Sequence, residues 1–191
     1  VLIAASAVGY YGDTGEREAD ETAPRGAGFL AELCQDWEAA TRPAEDAGIR
    51  VAHLRTGLVL SADGGLLKRL KPIVQLGVAG RLGSGRQFMP WISLADEIGA
   101  IRFVLEREVS GPVNLTGPDP VRNAELIATL ARLLHRPAIV PTPGFALRIV
   151  LGEFARDILT GQRAVPTKLL DAGFIHRHAD VESALRWALG R

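Results

Sequence analysis

The chain opens VLIAASAVGYYGD, and its first five residues, Val1-Leu2-Ile3-Ala4-Ala5, form an unbroken apolar run. A run of that length without polar alternation predicts a strand covered on both faces, as in a parallel sheet. Parallel strands need neighbours, and they are joined by crossover helices. No element precedes this strand, and the chain begins without a methionine. The expectation is a sheet whose first strands belong to an earlier portion of a longer protein.

The rest of the chain alternates strand and helix signals. Phe29, Leu33 and Trp37, four residues apart, predict a helix over 29–47 that packs on that face, with Pro43 kinking it or ending it early. Gly48 is a fitting stop, and IRVAHLRTG follows as a second strand. A helix is expected at 64–75 and another at 94–107, the latter on Leu94, Ile98, Ile101 and Leu105. GVAGRLGSGRQFMPW, with its glycines, reads as loop or short strands. PVNLT is a short strand, and a helix over 123–135 follows it. This alternation is that of an α/β fold with a parallel sheet. From about residue 141 the character changes. PTPGFALRIVLGEFARDIL predicts an apolar helix, and VPTKLLDAGF and ADVESALRWAL predict two short ones. Residues 1–140 therefore form the main unit and 141–191 a small helical C-terminal subdomain that leans on it, since about 50 residues do not build a self-sufficient core.

Composition narrows the function. Lys plus Arg and Asp plus Glu are both 22, so the chain lacks the basic balance that nucleic acid demands. No apolar stretch approaches the roughly 20 residues that span a bilayer, and no signal peptide is expected. A single cysteine, Cys34, excludes an internal disulfide and suits a reducing, cytoplasmic setting. GVAGRLGSG lacks the spacing of a phosphate-binding P-loop, and His176 and His178 have no further ligand nearby, so no metal site is expected. His53 and His135 read as structural.

The first strand ends Ala4-Ala5-Ser6-Ala7, and ligands of open α/β sheets bind beyond the carboxyl ends of the strands. Small side chains there let a planar ring approach the backbone, and Ser6 offers a hydroxyl. The same residues would equally fit beneath a helix.

SAVGYYG, FLAELCQDWE, GIRVAHLRTGLVLS, GRLGSGRQFMPWISLADEIGAI, GPVNLTGPDPV, RPAIVPTPGFALRIVLGE and QRAVPTKLLDAGF together resemble the extended short-chain dehydrogenase/reductase superfamily from its fifth strand onward. More narrowly they resemble its nucleoside-diphosphate-sugar epimerase-like family. The resemblance implies the C-terminal part of a Rossmann-like, doubly wound parallel sheet with a small helical C-terminal subdomain. It also implies a preceding portion on the order of 100 residues, at about 30 per βαβ unit, that carries the Gly-rich pyrophosphate turn. The cofactor implied is NADP(H) or NAD(H), and the partners are that dinucleotide and a small-molecule substrate, a nucleotide sugar or related carbonyl or carbinol.

Site residues follow from the same resemblance. The superfamily places a tyrosine, and a lysine four residues later, on the helix after this strand; here Cys34 and Glu38 stand there. A carboxylate beside a thiol disfavours thiolate, so Cys34 reads as a weak acid, or as a small buried hydrophobe, while Glu38 can accept ribose hydrogen bonds. Ser6 matches the catalytic Ser/Thr, although Ala7 takes that place when counting back from Tyr11-Gly12. Tyr10 and Tyr11 are candidate phenols near the substrate, or loop packing. No cation for them is evident in the sequence. Ala5, Ser6, Cys34, Glu38, Arg55, Thr56 and Gly57 are expected on the cofactor side, with Arg55 paired. Leu58 and Met89 stand where sugar-nucleotide enzymes often carry an asparagine and an arginine. Arg86, Gln87, Trp91 and Arg163 remain on the substrate side, with Arg86 and Arg163 expected to converge on a phosphate. Without the Tyr/Lys proton relay, a non-catalytic or regulatory dinucleotide-binding protein related to cell division is the competing reading.

Overall fold

The computed structural model describes residues 1–138, 140–141 and 159–190. Its centre is a parallel sheet of three strands, β1 (Leu2–Ala7), β3 (Val51–Thr56) and β7 (Gly111–Leu115), in the order β1-β3-β7. The register sets Ser6 against Arg55, and Arg55 against Asn114. Strand side chains alternate between faces. Ala52 and Leu54 of β3, with Val113 and Leu115 of β7, therefore pack on one face against α4 (Leu94–Glu106). His53 and Arg55 point to the other face, towards α1 (Phe29–Ala39) and the segment that follows it. Helices on both faces of a parallel sheet are the doubly wound layering that the sequence predicts.

The single helix expected over 29–47 is two. α1 ends at Ala39, and α2 (Arg42–Asp46) restarts with Pro43 in its first turn, where a missing N–H costs nothing. The other helices agree closely with expectation: α3 (Gly65–Gln75), α4 and α5 (Asn123–Leu133). Side strands complete the frame. β4 (Leu58–Leu60) runs parallel to β6 (Trp91–Ser93), and β5 (Phe88–Met89) pairs antiparallel with β8 (Val121–Arg122). β2 (Glu18–Ala19) pairs with β9 (Arg163–Ala164) and ties the loop after β1 to the C-terminal segment.

Two expected faces are turned. On α1 the buried residues are Ala31 and Cys34, while Phe29 and Trp37 are 73% and 48% exposed. Small side chains let α1 approach β1 closely, and the large ones are left outward. On α4 the inward residues are Asp96, Glu97, Ala100 and Val104, while Ile98 and Leu105 are exposed. The Ser93 hydroxyl caps α4 by accepting from the Asp96 N–H at 3.0 Å, and Asp96 accepts from the Arg177 and His178 N–H groups. Those bonds fix the helix rotation with its first-turn carboxyls inward. Among the described residues β1 pairs with β3, and Val1 and Leu2 at its start are exposed.

The apolar helix expected over PTPGFALRIVLGEFARDIL lies almost wholly outside the described residues. α6 (Thr167–Asp171) and α7 (Val181–Leu189) form as predicted. α7 buries Val181, Ala184 and Leu185 in one cluster with Leu60, Trp91, Leu126 and Leu130. Among the described residues no helix is long and apolar enough to cross a membrane. Because Leu185 is fully enclosed in this shared cluster, Leu185→Ala should lower the unfolding free energy by about 2–5 kcal/mol in urea denaturation. A loss below about 1 kcal/mol would show that α7 is peripheral to the core.

Candidate functional site

At the carboxyl end of the sheet, register puts Ser6, Arg55 and Asn114 in one row on the α1 face. α1 brings Glu38 over that row, and a short 3-10 turn, Val8–Tyr11, folds Tyr10 and Tyr11 back across it. Arg55 grips Glu38 with a fork: Nε donates to Oε1 and Nη2 to Oε2, both at 2.8 Å. Ser6 Oγ donates to the same Oε1 at 2.8 Å. The third guanidinium nitrogen, Nη1, donates to Tyr11 Oη at 3.0 Å, and Tyr11 donates onward to Asn114 Oδ1 at 2.7 Å. Asn114 Nδ2 donates to the Ala19 and Val165 carbonyls. Glu21 then takes the Asn114 and Lys168 N–H groups on its two carboxylate oxygens. A continuous polar chain thus runs from α1 through the sheet to α6.

The electrostatics follow from burial and from this pairing. Burial alone would push Glu38 up, but the hydrogen bonds and charge of Arg55 outweigh it and hold its carboxyl below the usual range. Burial opposes the Arg55 cation, and Glu38 and Tyr11 more than offset that, so Arg55 stays charged. For Tyr11 burial wins: its phenol is pushed up to about 12 despite Arg55, and it remains a proton donor to Asn114. Burial also raises the Cys34 thiol, and the Glu38 charge adds to this.

These contacts place each expected residue. The cation missing from the sequence reading is Arg55, which lies 3.0 Å from the Tyr11 oxygen and beneath the Tyr10 ring, 3.5 Å from its centroid. Tyr11 is enclosed and both its hydrogen bonds are internal, so it has the character of a pillar. Tyr10 is half-buried, meets Tyr11 edge-on at 5.5 Å, and its hydroxyl has no partner among the described residues. Ala5 is exposed on the open side of β1. Thr56 turns to the opposite face and donates to Glu97 Oε1 at 2.9 Å. A side chain on Gly57 would strike the Pro90 carbonyl oxygen, so its glycine is required by packing.

Of the residues expected on the substrate side, Trp91 departs from expectation. It is wholly buried, donates from its indole nitrogen to the Asp119 carbonyl at 2.9 Å, and packs against Gly117, which makes it a core residue. Gln87 donates to the Leu82 carbonyl at 3.1 Å. Arg86 and Arg163 both reach Glu16: Arg86 Nη2 lies 3.8 Å from its carboxylate, and Arg163 Nη1 donates to its carbonyl at 3.1 Å. Arg163 also pairs with Glu18 at 2.9 Å. The sequence reading missed Arg122, which bonds Glu16 at 2.7 Å and flanks the Phe88 ring together with Arg163. It also missed Asn114, Glu21 and Glu97. An asparagine inside the apolar strand PVNLT was the one legible sign of the first. Among the described residues, no three His, Cys, Asp or Glu side chains gather as a metal site would require.

Comparison with known proteins agrees with this architecture. An epimerase family protein of Mycobacterium bovis is 52% identical over all of this chain, and one from Bacillus subtilis is 38% identical over 96% of it. The chain spans 64% and 61% of those proteins' lengths. The crystal structure of the human epimerase family protein SDR39U1 with NADPH superposes with a TM-score of 0.93 at 32% identity, covering 98% of this chain and 64% of the human one. By these likenesses the chain is similar to a portion, somewhat under two thirds, of the epimerase family proteins, which supports the short-chain dehydrogenase/reductase resemblance. Its sheet is the corresponding part of their Rossmann fold. Residues 142–188 match a family described as a domain of unknown function, DUF1731.

The Arg55–Glu38 fork should carry both stability and its acid dependence. Glu38 is held below its ordinary value, so its contribution is present above about pH 4.5 and is lost as pH falls through the lowered value. Glu38→Gln leaves the buried guanidinium without a counter-charge and should cost about 3–5 kcal/mol at pH 7. Urea denaturation between pH 3 and 7 should show that gap narrowing on acidification. A gap independent of pH would mean that the carboxylate charge is not what holds Arg55.

Proposed function

We propose that the complete protein is an NAD(P)(H)-dependent epimerase- or reductase-like enzyme in which this chain supplies the nicotinamide-side wall and the proton-transfer group. The residues present suit that end of a dinucleotide. Ala5 puts no bulk at the exposed edge of β1, and the row Ser6–Glu38–Arg55 lies just beneath the sheet's carboxyl end. The bound cofactor would supply or accept a hydride. Ala5, Ser6, Thr56 and Gly57 would form the wall, with Cys34, Glu38 and Arg55 fixing it from behind.

The observation that carries this reading is the Tyr10 ring laid on the Arg55 guanidinium, with no partner for its hydroxyl among the described residues. Glu38 stands where the superfamily's lysine would be, and it delivers a cation indirectly by holding Arg55 in place. Tyr10 is then the phenol able to exchange a proton with a substrate oxygen, Ser6 orients the carboxylate behind it, and Tyr11 keeps Arg55 level. On the substrate side, Arg86, Arg122 and Arg163 around Glu16 suit a phosphate-bearing small molecule such as a nucleotide sugar. The single buried thiol fits a cytoplasmic setting.

A second reading, a dinucleotide-binding protein without turnover, is favoured by one feature: the Glu38 carboxylate is consumed by Arg55 and Ser6. Tyr10→Phe in the complete protein separates the two. We expect carbonyl reduction with NADPH to fall by about 100-fold or more, with NADPH affinity unchanged within about twofold. Equal turnover by both proteins would remove Tyr10 from the mechanism. Tight NADPH binding with no turnover of any carbonyl or sugar nucleotide by the unsubstituted protein would establish the second reading.

A further inference from the structure

Glu97 is a buried acid that the site as described leaves unused. It stands in the first turn of α4 and is 8% exposed. Its Oε1 accepts the Thr56 hydroxyl at 2.9 Å, and its Oε2 is enclosed with no hydrogen-bond partner among the described residues. Burial pushes its carboxyl up to about 7, and the Thr56 hydrogen bond opposes that only in part.

Among the described residues no cation pairs with it. On β3, Arg55 turns to the opposite face and pairs with Glu38, while His53 bonds the Thr41 hydroxyl. β4, β6 and β7 carry no titratable side chain. In the segment that docks on the start of α4, His176 bonds the Thr116 carbonyl, Arg177 is exposed, and His178 bonds Ser93 and Asp96. On α4 itself Asp96 is engaged by Ser93, His178 and two backbone N–H groups, and Arg102 and Glu106 pair with each other on the surface. An ionised Glu97 would thus be a buried charge held by one hydroxyl, an arrangement that drives a side chain to take up a proton or to leave.

Thr56 is the last residue of β3, and it leads directly into the Gly57 close approach to Pro90. We propose that Glu97 is a proton-linked positioning residue: as the neutral acid it lets α4 pack on the carboxyl end of β3 with Thr56 bonded to it, and on losing its proton its buried, sparsely solvated charge, rather than any weakening of the Thr56 bond, disrupts that packing and weakens binding at the sheet edge. This rests on the reading that the complete protein binds NAD(P)(H) at that edge, where open α/β sheets hold their ligands.

Two measurements on the complete protein test it, each with wild type, Glu97→Gln and Glu97→Ala. The first is NADPH affinity by calorimetric titration from pH 6 to 8.5. Wild-type binding should weaken about tenfold across this range. Gln, which mimics the neutral acid, should hold the wild-type pH 6 affinity within about twofold throughout, and Ala should be weak at every pH. A wild-type slope that persists in Gln, or a wild type that shows no slope, overturns the proposal. The second is urea denaturation without cofactor over pH 5–8.5. A folded value raised above the ordinary one means that stability is greatest at low pH and is lost as pH rises towards about 7. The folded-to-unfolded ratio of wild type should therefore drop on the order of a hundredfold more than that of Gln. Parallel profiles would overturn the proton link. If NADPH fails to bind at any pH while these profiles diverge, the cofactor reading fails, the claim about ligand binding goes with it, and the strut alone stands.

Discussion

The buried fork between Arg55 and Glu38 is the constraint on which this end of the molecule depends. A guanidinium that is 3% exposed is tolerable only if its donors are satisfied, and here they are answered by one carboxylate and one phenol. Meeting that demand fixes four elements at once. Glu38 sets how α1 lies on the sheet, Ser6 follows from β1, Tyr11 requires the turn after β1, and Asn114 requires β7 in register. The Tyr10 ring then has a flat, charged surface to rest on. The site is a consequence of solving one desolvation problem.

The same logic explains how α1 can carry Cys34 and Glu38 in place of the tyrosine and lysine that the resemblance leads one to expect there. A lysine at the Glu38 position would face Arg55, and two buried cations could not share that pocket. Glutamate at this position and arginine at 55 form a compatible set. Cys34, one turn before Glu38, is then free to act as a small packing residue, and its thiol is raised by burial rather than activated.

The opposite face of the sheet shows a contrasting solution. There α4 turns two carboxyls inward. Asp96 is richly satisfied by Ser93, His178 and backbone N–H groups, while its neighbour Glu97 has one hydroxyl. Adjacent residues on one helix turn thus have unlike electrostatic fates, and the difference lies wholly in what other elements present to them.

Much of the fold was legible because it depends on local signals. Apolar periodicity placed the helices and strands, Pro43 marked a break, and glycines marked the ends of elements. Small residues at the end of β1 and the Tyr-Gly after it pointed to the sheet's carboxyl edge as the candidate site, and the motif resemblance was specific enough to give the fold. Periodicity misjudged the faces of α1 and α4, because which stripe is buried depends on what packs there: Ala31 and Cys34 permit close approach, and Ser93 and residues 177–178 set the rotation of α4. The site partners were not legible at all. Glu38 and Arg55 are 17 residues apart, Arg55 and Tyr11 44, and Tyr11 and Asn114 103. The sequence by itself determined the elements, their order and the chemical types available at the sheet's edge. Tertiary structure alone decided which of those groups meet and which are buried, because hydrogen bonding and desolvation act through space, and strand register, not chain distance, brings Ser6, Arg55 and Asn114 into one row.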